Sequence, residues 1–225
     1  MAARQGVSIG NSALEVIADI RDFVISHAPV PAKILDVAAG TGQKGLPLAM
    51  HGYEISLFEP ASAFLEAAYQ DATSRGIGDS IGDTVCGTFK DLPKIKDDAY
   101  DVLVCLGAVL YVHPRHAAED VLANLSRISS RGVVVDVASK YGSILQLGAE
   151  GAEVTVEGIE QLLNTGVAPP ASAENRHVVY SCFSSAELVS VLTRFGLRVE
   201  RLVGHDIPGT LDQATAKLLP ASELS

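Results

Sequence analysis

The sequence predicts one α/β domain built on a doubly wound, mostly parallel β-sheet. Short runs rich in valine, isoleucine and leucine alternate with stretches of helical periodicity, and the runs are apolar at nearly every position. Strands that are apolar on both faces are typical of a parallel sheet covered by helices on both sides. The length of 225 residues fits a single domain over residues 1–225.

The elements follow one another regularly through the first two thirds of the chain. Apolar residues at helical spacing predict an N-terminal helix over residues 12–25, which the prolines of "HAPVPA" end. Further helices are predicted to end near Met50 and to cover residues 61–76 and 115–130. Five strands are predicted, in the segments "KILDVA", "YEISLFE", "DTVCGTF", "YDVLVCLGAVLYV" and "GVVVDVAS".

The regular alternation breaks after Ser139. Residues 141–176 are too long for an ordinary connection, so we interpret them as a lid or substrate-binding insertion with one helix over residues 155–163. A strand "RHVVYSCF" then precedes a helix that opens with a capping box of Ser184 and Glu187. The segment "LRVERLV" predicts a final strand, and the pattern assigns no structure to the last fifteen residues.

Composition and charge exclude several classes of partner. The chain has 17 basic and 27 acidic residues, a formal net charge of −10 and no basic run, so nucleic acid and anionic membranes are poor partners. The absence of a leader segment and of an eighteen-residue apolar run predicts a soluble, cytoplasmic protein. Three widely spaced cysteines, Cys86, Cys105 and Cys182, are expected to be reduced thiols.

The segment "ILDVAAGTGQKG", residues 34–45, permits two interpretations. Its last six residues fit the dinucleotide pattern G-x-G-x-x-G, and Glu59 follows Gly40 by 19 residues, a spacing suited to a ribose diol. Asp36 favours a different cofactor, because a carboxylate has no use beside a pyrophosphate but can position a cationic amine. Lys44 and Pro47 also make the helix entry less regular than a pyrophosphate site prefers.

Five segments in this order resemble the class I S-adenosylmethionine-dependent methyltransferases: "ILDVAAGTG", "FEP", "GTFKDLP", "YDVLVCLGAVLYV" and "CFSSAELVSVLTRFGLRVERL". The likeness extends over residues 33–203, and its order and spacing are more specific than any one motif. It implies a Rossmann-like methyltransferase fold with an N-terminal helix and a lid insertion. It also implies S-adenosylmethionine as the cofactor.

The resemblance assigns cofactor-binding residues in four segments: Asp36, Ala38, Gly40, Thr41 and Gly42; Glu59 and Pro60; Thr88 and Phe89; Leu106 and Gly107. The first loop would wrap the methionine part, although Ala38 stands where the family usually has glycine. Glu59 would take both ribose hydroxyls, and Pro60 would lie beside the adenine. Thr88 and Phe89 occupy the position where many relatives hold the adenine amino group with an aspartate. The last pair would line the path of the methyl group.

Candidate catalytic residues follow the fourth strand. His113 is the first candidate for a general base or substrate orienter, with Tyr111 flanking the transferred methyl and His116 nearby. The alternatives are an exposed histidine at a helix start and a packed tyrosine. The residues proposed to bind substrate are Arg176, His177 and Tyr180. His113 and His116, together with Glu119 and Asp120, match no recognised ligand motif, so no metal is expected.

The predicted activity is methyl transfer from S-adenosylmethionine to an oxygen or nitrogen nucleophile of a small molecule. Natural-product biosynthesis is suggested by family analogy alone. Two alternatives remain open: an NAD(P)-dependent oxidoreductase, and a non-catalytic or non-methylating S-adenosylmethionine-binding protein. Association into a homodimer is also left open.

Overall fold

A computed structural model describes residues 13–149, 155–168 and 179–204. Its helices are α1 (Ala13–His27), α2 (Leu46–Ala49), α3 (Ser62–Ser74), α4 (Arg115–Ile128), α5 (Lys140–Ala149), α6 (Val156–Thr165) and α7 (Ser185–Arg194). Its strands are β1 (Lys33–Val37), β2 (Glu54–Glu59), β3 (Ile81–Cys86), β4 (Tyr100–Cys105), β5 (Ser129–Val135), β6 (Ala138–Ser139), β7 (Val167–Ala168) and β8 (Tyr180–Phe183). Among the described residues no helix is long and apolar enough to cross a membrane.

Five strands form a fully parallel sheet in the order β3-β2-β1-β4-β5. A second, small sheet has the order β6-β8-β7, in which β8 runs parallel to β6 and antiparallel to β7. The order reverses direction between β1 and β4, which is the signature of a doubly wound sheet. The predicted fold class is therefore confirmed.

Two apolar clusters cover the two faces of the five-stranded sheet. Successive side chains of a strand point to opposite faces, so Ile34 of β1 packs with α1, α2 and α3 while Leu35 packs with α4 and α7. Both side chains are fully buried. This double coverage explains why the central strands read as continuous apolar runs in the sequence.

The first part of the predicted insertion is helical. α5 begins at Lys140, α6 starts at a Thr155 N-cap whose hydroxyl accepts from the Gly158 N–H at 3.1 Å, and β7 then pairs with β8. Residues 150–154 and 169–178 lie outside the described residues. A role of residues 141–176 as a lid therefore stays a prediction.

The predicted strand over residues 197–203 is wrong, since these residues adopt no strand in the structure. Leu197, Val199 and Leu202 pack against the core cluster, while Glu200 and Arg201 make ion pairs with His27 and Asp19 of α1. Alternating apolar side chains suit an extended segment on a helical surface as well as they suit a strand. The pattern therefore did not distinguish the two.

Strand and helix boundaries also differ from the prediction. The strand expected over residues 132–139 is divided into β5, which begins earlier, and the two-residue β6. The helix after the glycine-rich loop is only four residues long, with Pro47 in its first turn as expected. The capping box of Ser184 and Glu187 is present at the start of α7.

An ionic cluster fixes α5 to α7 and α4. Lys140 is 4% exposed, and its ammonium donates to Glu187 Oε1 at 2.7 Å and to the Leu163 carbonyl at 2.6 Å. Arg115 lies 3.3 Å from the same carboxylate oxygen and stacks on the Phe183 ring at 4.3 Å. Burial alone would raise the pKa of the Glu187 carboxyl, but its bonds to Lys140 and to the Ser184 N–H prevail and hold the pKa at about 2.

We expect Glu187→Gln to lower the free energy of unfolding by about 2 kcal/mol at pH 7, because it leaves a buried ammonium without its carboxylate. Glu187 is partly exposed, which reduces the effect. Lys140→Met should be tolerated better, since Glu187 keeps Arg115 as a partner. Urea titrations of both variants check this order, and equal destabilisation would contradict it.

The same carboxyl predicts an acid-sensitive contribution in the wild type. A lowered folded-state pKa gives stability that is present above the ordinary value of 4.5 and is lost as the pH falls towards about 2. The Glu187→Gln variant should lack this part of the acid dependence.

Candidate active site at the carboxyl edge of the sheet

The candidate site lies where β1 and β4 separate. The chain leaves β1 towards α2 on one face of the sheet and leaves β4 towards α4 on the other. This divergence opens a crevice at the carboxyl ends of the two strands, the usual ligand position in doubly wound folds. The sequence-predicted residues of the first, second and fourth strands meet at this edge.

The buried side chain of Asp36 holds the end of the glycine-rich loop that follows β1. This side chain is 2% exposed, and Oδ2 accepts a hydrogen bond from the Gly45 N–H at 2.9 Å. A Cβ at Gly45 would lie 2.6 Å from this oxygen, so only glycine permits the approach. The predicted role of Asp36 towards a cationic amine stays a prediction.

The Asp36 carboxyl is electrostatically unusual. Burial raises its pKa to about 7, and the charge of Glu59 adds to the rise, while the Gly45 N–H and the Lys44 ammonium oppose it. A carboxyl in this range changes its charge near neutral pH, and such groups are frequent at functional sites.

Glu59 joins two loops at the end of β2. Its carboxylate is 7% exposed; Oε2 accepts from the Gly40 N–H at 3.0 Å and Oε1 from the Ala61 N–H at 3.1 Å. A carboxylate has about four lone-pair positions, so each oxygen retains capacity for a further donor. The structure thus holds Glu59 rigidly at the edge where the ribose diol is predicted.

The loop after β1 has the shape of a cradle. A Cβ built on Gly40 would meet no atom within 4 Å, so the backbone faces open space there. Ala38 adopts a φ of +57°, a left-handed conformation that glycine favours, which accounts for the family's preference at that position. Thr41 is half-buried and Gly42 buried. The open backbone beside the Glu59 carboxylate fits a ligand that carries hydroxyl and ammonium donors.

The end of β4 forms the opposite wall. Leu106 is half-buried and Gly107 is exposed. The Gly107 N–H donates to Asp136 Oδ1 at 2.7 Å, and Lys44 Nζ lies 3.5 Å from the Leu106 carbonyl oxygen. The sequence interpretation misses Asp136 and Lys44 as site residues. The available signal for Asp136 was an acidic residue inside the otherwise apolar fifth predicted strand, "GVVVDVAS".

The predicted adenine end lies beside β3. Pro60 is exposed, and its carbonyl accepts a hydrogen bond from the exposed Cys86 thiol at 3.3 Å. The Thr88 hydroxyl donates to Asp91 Oδ2 at 3.1 Å within a capping box, and Phe89 packs partly against the core. Both side chains thus have structural contacts at this edge, and their adenine contacts stay predictions.

Two tyrosines meet above the end of β4. Tyr111 is 57% exposed and lies 5.5 Å from the Tyr180 ring, centroid to centroid. The Ser181 hydroxyl, next to Tyr180, donates to the Val112 carbonyl at 2.6 Å and fixes β8 to this loop. The structure therefore brings one predicted catalytic residue and one predicted substrate-binding residue together.

The remaining candidates are less constrained. His113 and His116 are exposed at the start of α4, and Arg176 and His177 lie outside the described residues. In the part of the chain that the structure describes, no group of three or more histidine, cysteine, aspartate or glutamate residues could hold a metal ion. The expectation that the site needs no metal stays a prediction.

Residues 34–132 match the family model of the methyltransferase domain. This part of the chain is similar to methyltransferase domains. It contains the loop after β1, the Glu59 carboxylate and the end of β4. The resemblance to the class I methyltransferases is thereby confirmed. No curated protein sequence shows significant similarity to the chain.

Solved structures share the fold of the methyltransferase domain at low sequence identity. A SAM-dependent methyltransferase from Methanosarcina mazei is 18% identical, with a TM-score of 0.60 over 77% of this chain and 82% of that one. Magnesium protoporphyrin IX methyltransferase from Synechocystis, with bound SAM, is 14% identical, with a TM-score of 0.58 over 88% and 80%. The [4+2]-cyclase SpnF is 18% identical, with a TM-score of 0.54 over 84% and 62%. These similarities confirm the fold.

Proposed function

We propose that the protein transfers a methyl group from S-adenosylmethionine to an oxygen or nitrogen nucleophile of a small molecule. The observation that carries the proposal is the Glu59 carboxylate, held by the Gly40 and Ala61 N–H groups beside the open loop of the methyltransferase domain. The Synechocystis structure with bound SAM supports this choice of cofactor. S-adenosylmethionine, when bound, supplies a methyl group on a sulfonium, which needs no further activation.

The protein's own residues then have three tasks. Glu59 accepts hydrogen bonds from the ribose hydroxyls, and the loop of Gly40 and Gly42 lies along the methionine part. The walls at Leu106 and Gly107 exclude water from the path of the methyl group, because alignment and desolvation are the main needs of an in-line displacement. His113 accepts the proton of the nucleophile where the acceptor must lose one.

A small-molecule acceptor suits the charge and the lining of the site. The net charge of −10 disfavours polyanionic substrates, and the Tyr111–Tyr180 pair offers an aromatic surface above the end of β4. Arg176 and His177 would bind an anionic group of the acceptor. A role in natural-product biosynthesis and a homodimeric state remain proposals of the same kind.

Thermal unfolding with four ligands tests the proposal. A ligand that binds only the folded state raises the unfolding midpoint, so S-adenosylmethionine and S-adenosylhomocysteine should raise it while NADH and NADPH should not. Stabilisation by NADH or NADPH alone would contradict the methyltransferase proposal and favour the oxidoreductase alternative. Trapping of a labelled methyl group on an acceptor then separates a methyltransferase from a non-methylating protein of the same fold.

A further inference from the structure

Lys44 places a positive charge inside the crevice between β1 and β4. Its side chain is half-buried, and Nζ reaches across to lie 3.5 Å from the Leu106 carbonyl oxygen. The same ammonium would be 3.6 Å from a Cβ built on Gly107. Lys44 thus approaches the wall that is proposed to guide the methyl group.

This ammonium has no carboxylate at ion-pair distance among the residues that the structure describes. Eleven of the fourteen basic side chains described make ion pairs: Arg21, Lys33, Arg75, Lys94, Arg115, Arg127, Arg131, Lys140, Arg194, Arg198 and Arg201. Of the other three, Lys90 and Lys96 are exposed to solvent, and Lys44 alone is half-buried. A half-buried charge is less hydrated than an exposed one, so an anion bound beside Lys44 would be stabilised.

The nearby carboxylates already have backbone partners. Asp36 accepts from the Gly45 N–H and Asp136 from the Gly107 N–H. All three charged groups lie close enough to influence the Cys105 thiol. Burial is the main cause that raises the pKa of this thiol, the two carboxylates raise it further, and the Lys44 ammonium lowers it. The three charges therefore share one neighbourhood, in which the ammonium is the group that can receive an external anion.

We propose that Lys44 binds a carboxylate of a ligand in this crevice. Two sources share this chemistry: the carboxylate at the methionine end of the cofactor, and a carboxylate on the acceptor. The inference rests on the proposed function, because the methionine end is assigned to the Asp36–Gly42 loop, which Lys44 follows by two residues. Lys44 is then a binding residue and takes no part in proton transfer.

Calorimetry of four proteins tests the cofactor source: wild type, Lys44→Met, Lys44→Arg and the control Lys96→Met. S-adenosylhomocysteine and its decarboxylated analogue are the ligands. Because Lys44→Met removes one charged hydrogen bond, it should weaken the binding of S-adenosylhomocysteine by about tenfold or more. The analogue should bind wild type and Lys44→Met equally, and Lys44→Arg and Lys96→Met should retain wild-type affinity. Thermal midpoints confirm that each variant is folded.

The acceptor source is tested with acetate as the probe. The acceptor source applies if Lys44→Met leaves the affinity for S-adenosylhomocysteine unchanged. In that case acetate should still shift the amide resonances of Gly45 and Gly107 in wild type saturated with S-adenosylhomocysteine. It should not shift them in the Lys44→Met variant. Unchanged affinity together with an identical acetate response would overturn the proposal. Failure of wild type to bind S-adenosylhomocysteine would contradict the proposed cofactor instead, and acetate titration of the ligand-free protein would then decide on Lys44.

Discussion

Glu59→Gln is expected to weaken the binding of S-adenosylhomocysteine by about 100-fold, because two charge-assisted hydrogen bonds become neutral ones. An amide also has a single acceptor oxygen, while the native carboxylate serves both the Gly40 and the Ala61 N–H groups. One of these N–H groups must lose its partner, which loosens the loop in addition. Isothermal titration calorimetry measures the change.

Glu54→Gln provides a matched control for this prediction. Glu54 begins the same strand at the opposite edge of the sheet, where it is exposed and lies 3.5 Å from the Lys33 ammonium. Its replacement should leave the affinity for S-adenosylhomocysteine unchanged. Equal affinities of the Glu59→Gln variant and the wild type would mean that the ribose lies elsewhere.

Asp36→Asn should alter the pH dependence of stability by a larger amount than other single changes in the site. The folded-state pKa of Asp36 is raised from 3.8 to about 7, so the folded protein binds a proton more readily than the unfolded chain. Stability therefore falls as the pH rises through this interval and remains lower above it. The asparagine variant has no such proton to lose.

The measurement is urea unfolding of both proteins at pH 5 and pH 8. Relative to wild type, the free energy of unfolding of the Asp36→Asn variant should rise by about 2–3 kcal/mol between the two pH values. Any fixed penalty of the buried amide cancels in this difference. Asp83→Asn, at an exposed position of β3, is the control, and parallel pH profiles for the Asp36→Asn variant and the wild type would contradict the raised pKa.

The sequence identified those site residues whose position follows from the end of a strand. Asp36 lies near the carboxyl end of its predicted strand and Glu59 ends the next one, and the carboxyl ends of parallel strands must meet at one edge. Asp136 was overlooked, because the predicted strand continued to Ser139 while β5 ends at Val135. The fold class was predictable for a related reason, since apolar runs of this kind require cover on both faces.

Other features depend on contacts that no local pattern contains. Lys44 reaches Leu106 only because α2 begins beside the end of β4, and Cys86 meets Pro60 only through the register of β2 and β3. The segment over residues 197–203 has the alternation of a strand, yet it joins no sheet and makes ion pairs to α1 instead. Tertiary contacts decided each of these cases.

The cysteines allow the central claim to be tested in the wild-type protein. Cys86 is exposed beside the proposed adenine position, whereas Cys105 and Cys182 are buried and burial raises the pKa of both thiols. Alkylation by iodoacetamide should therefore report on Cys86. Bound adenine near Pro60 would cover this thiol, whose hydrogen bond to the Pro60 carbonyl is 3.3 Å long.

The decisive measurement is the rate of Cys86 alkylation, followed by mass spectrometry with and without S-adenosylhomocysteine. With adenine beside Pro60, saturating S-adenosylhomocysteine should slow the modification of Cys86 by about tenfold or more, as expected for a site with high occupancy, and NADH should not. An unchanged rate under conditions where S-adenosylhomocysteine raises the unfolding midpoint would contradict the placement of the cofactor at the ends of β2 and β3.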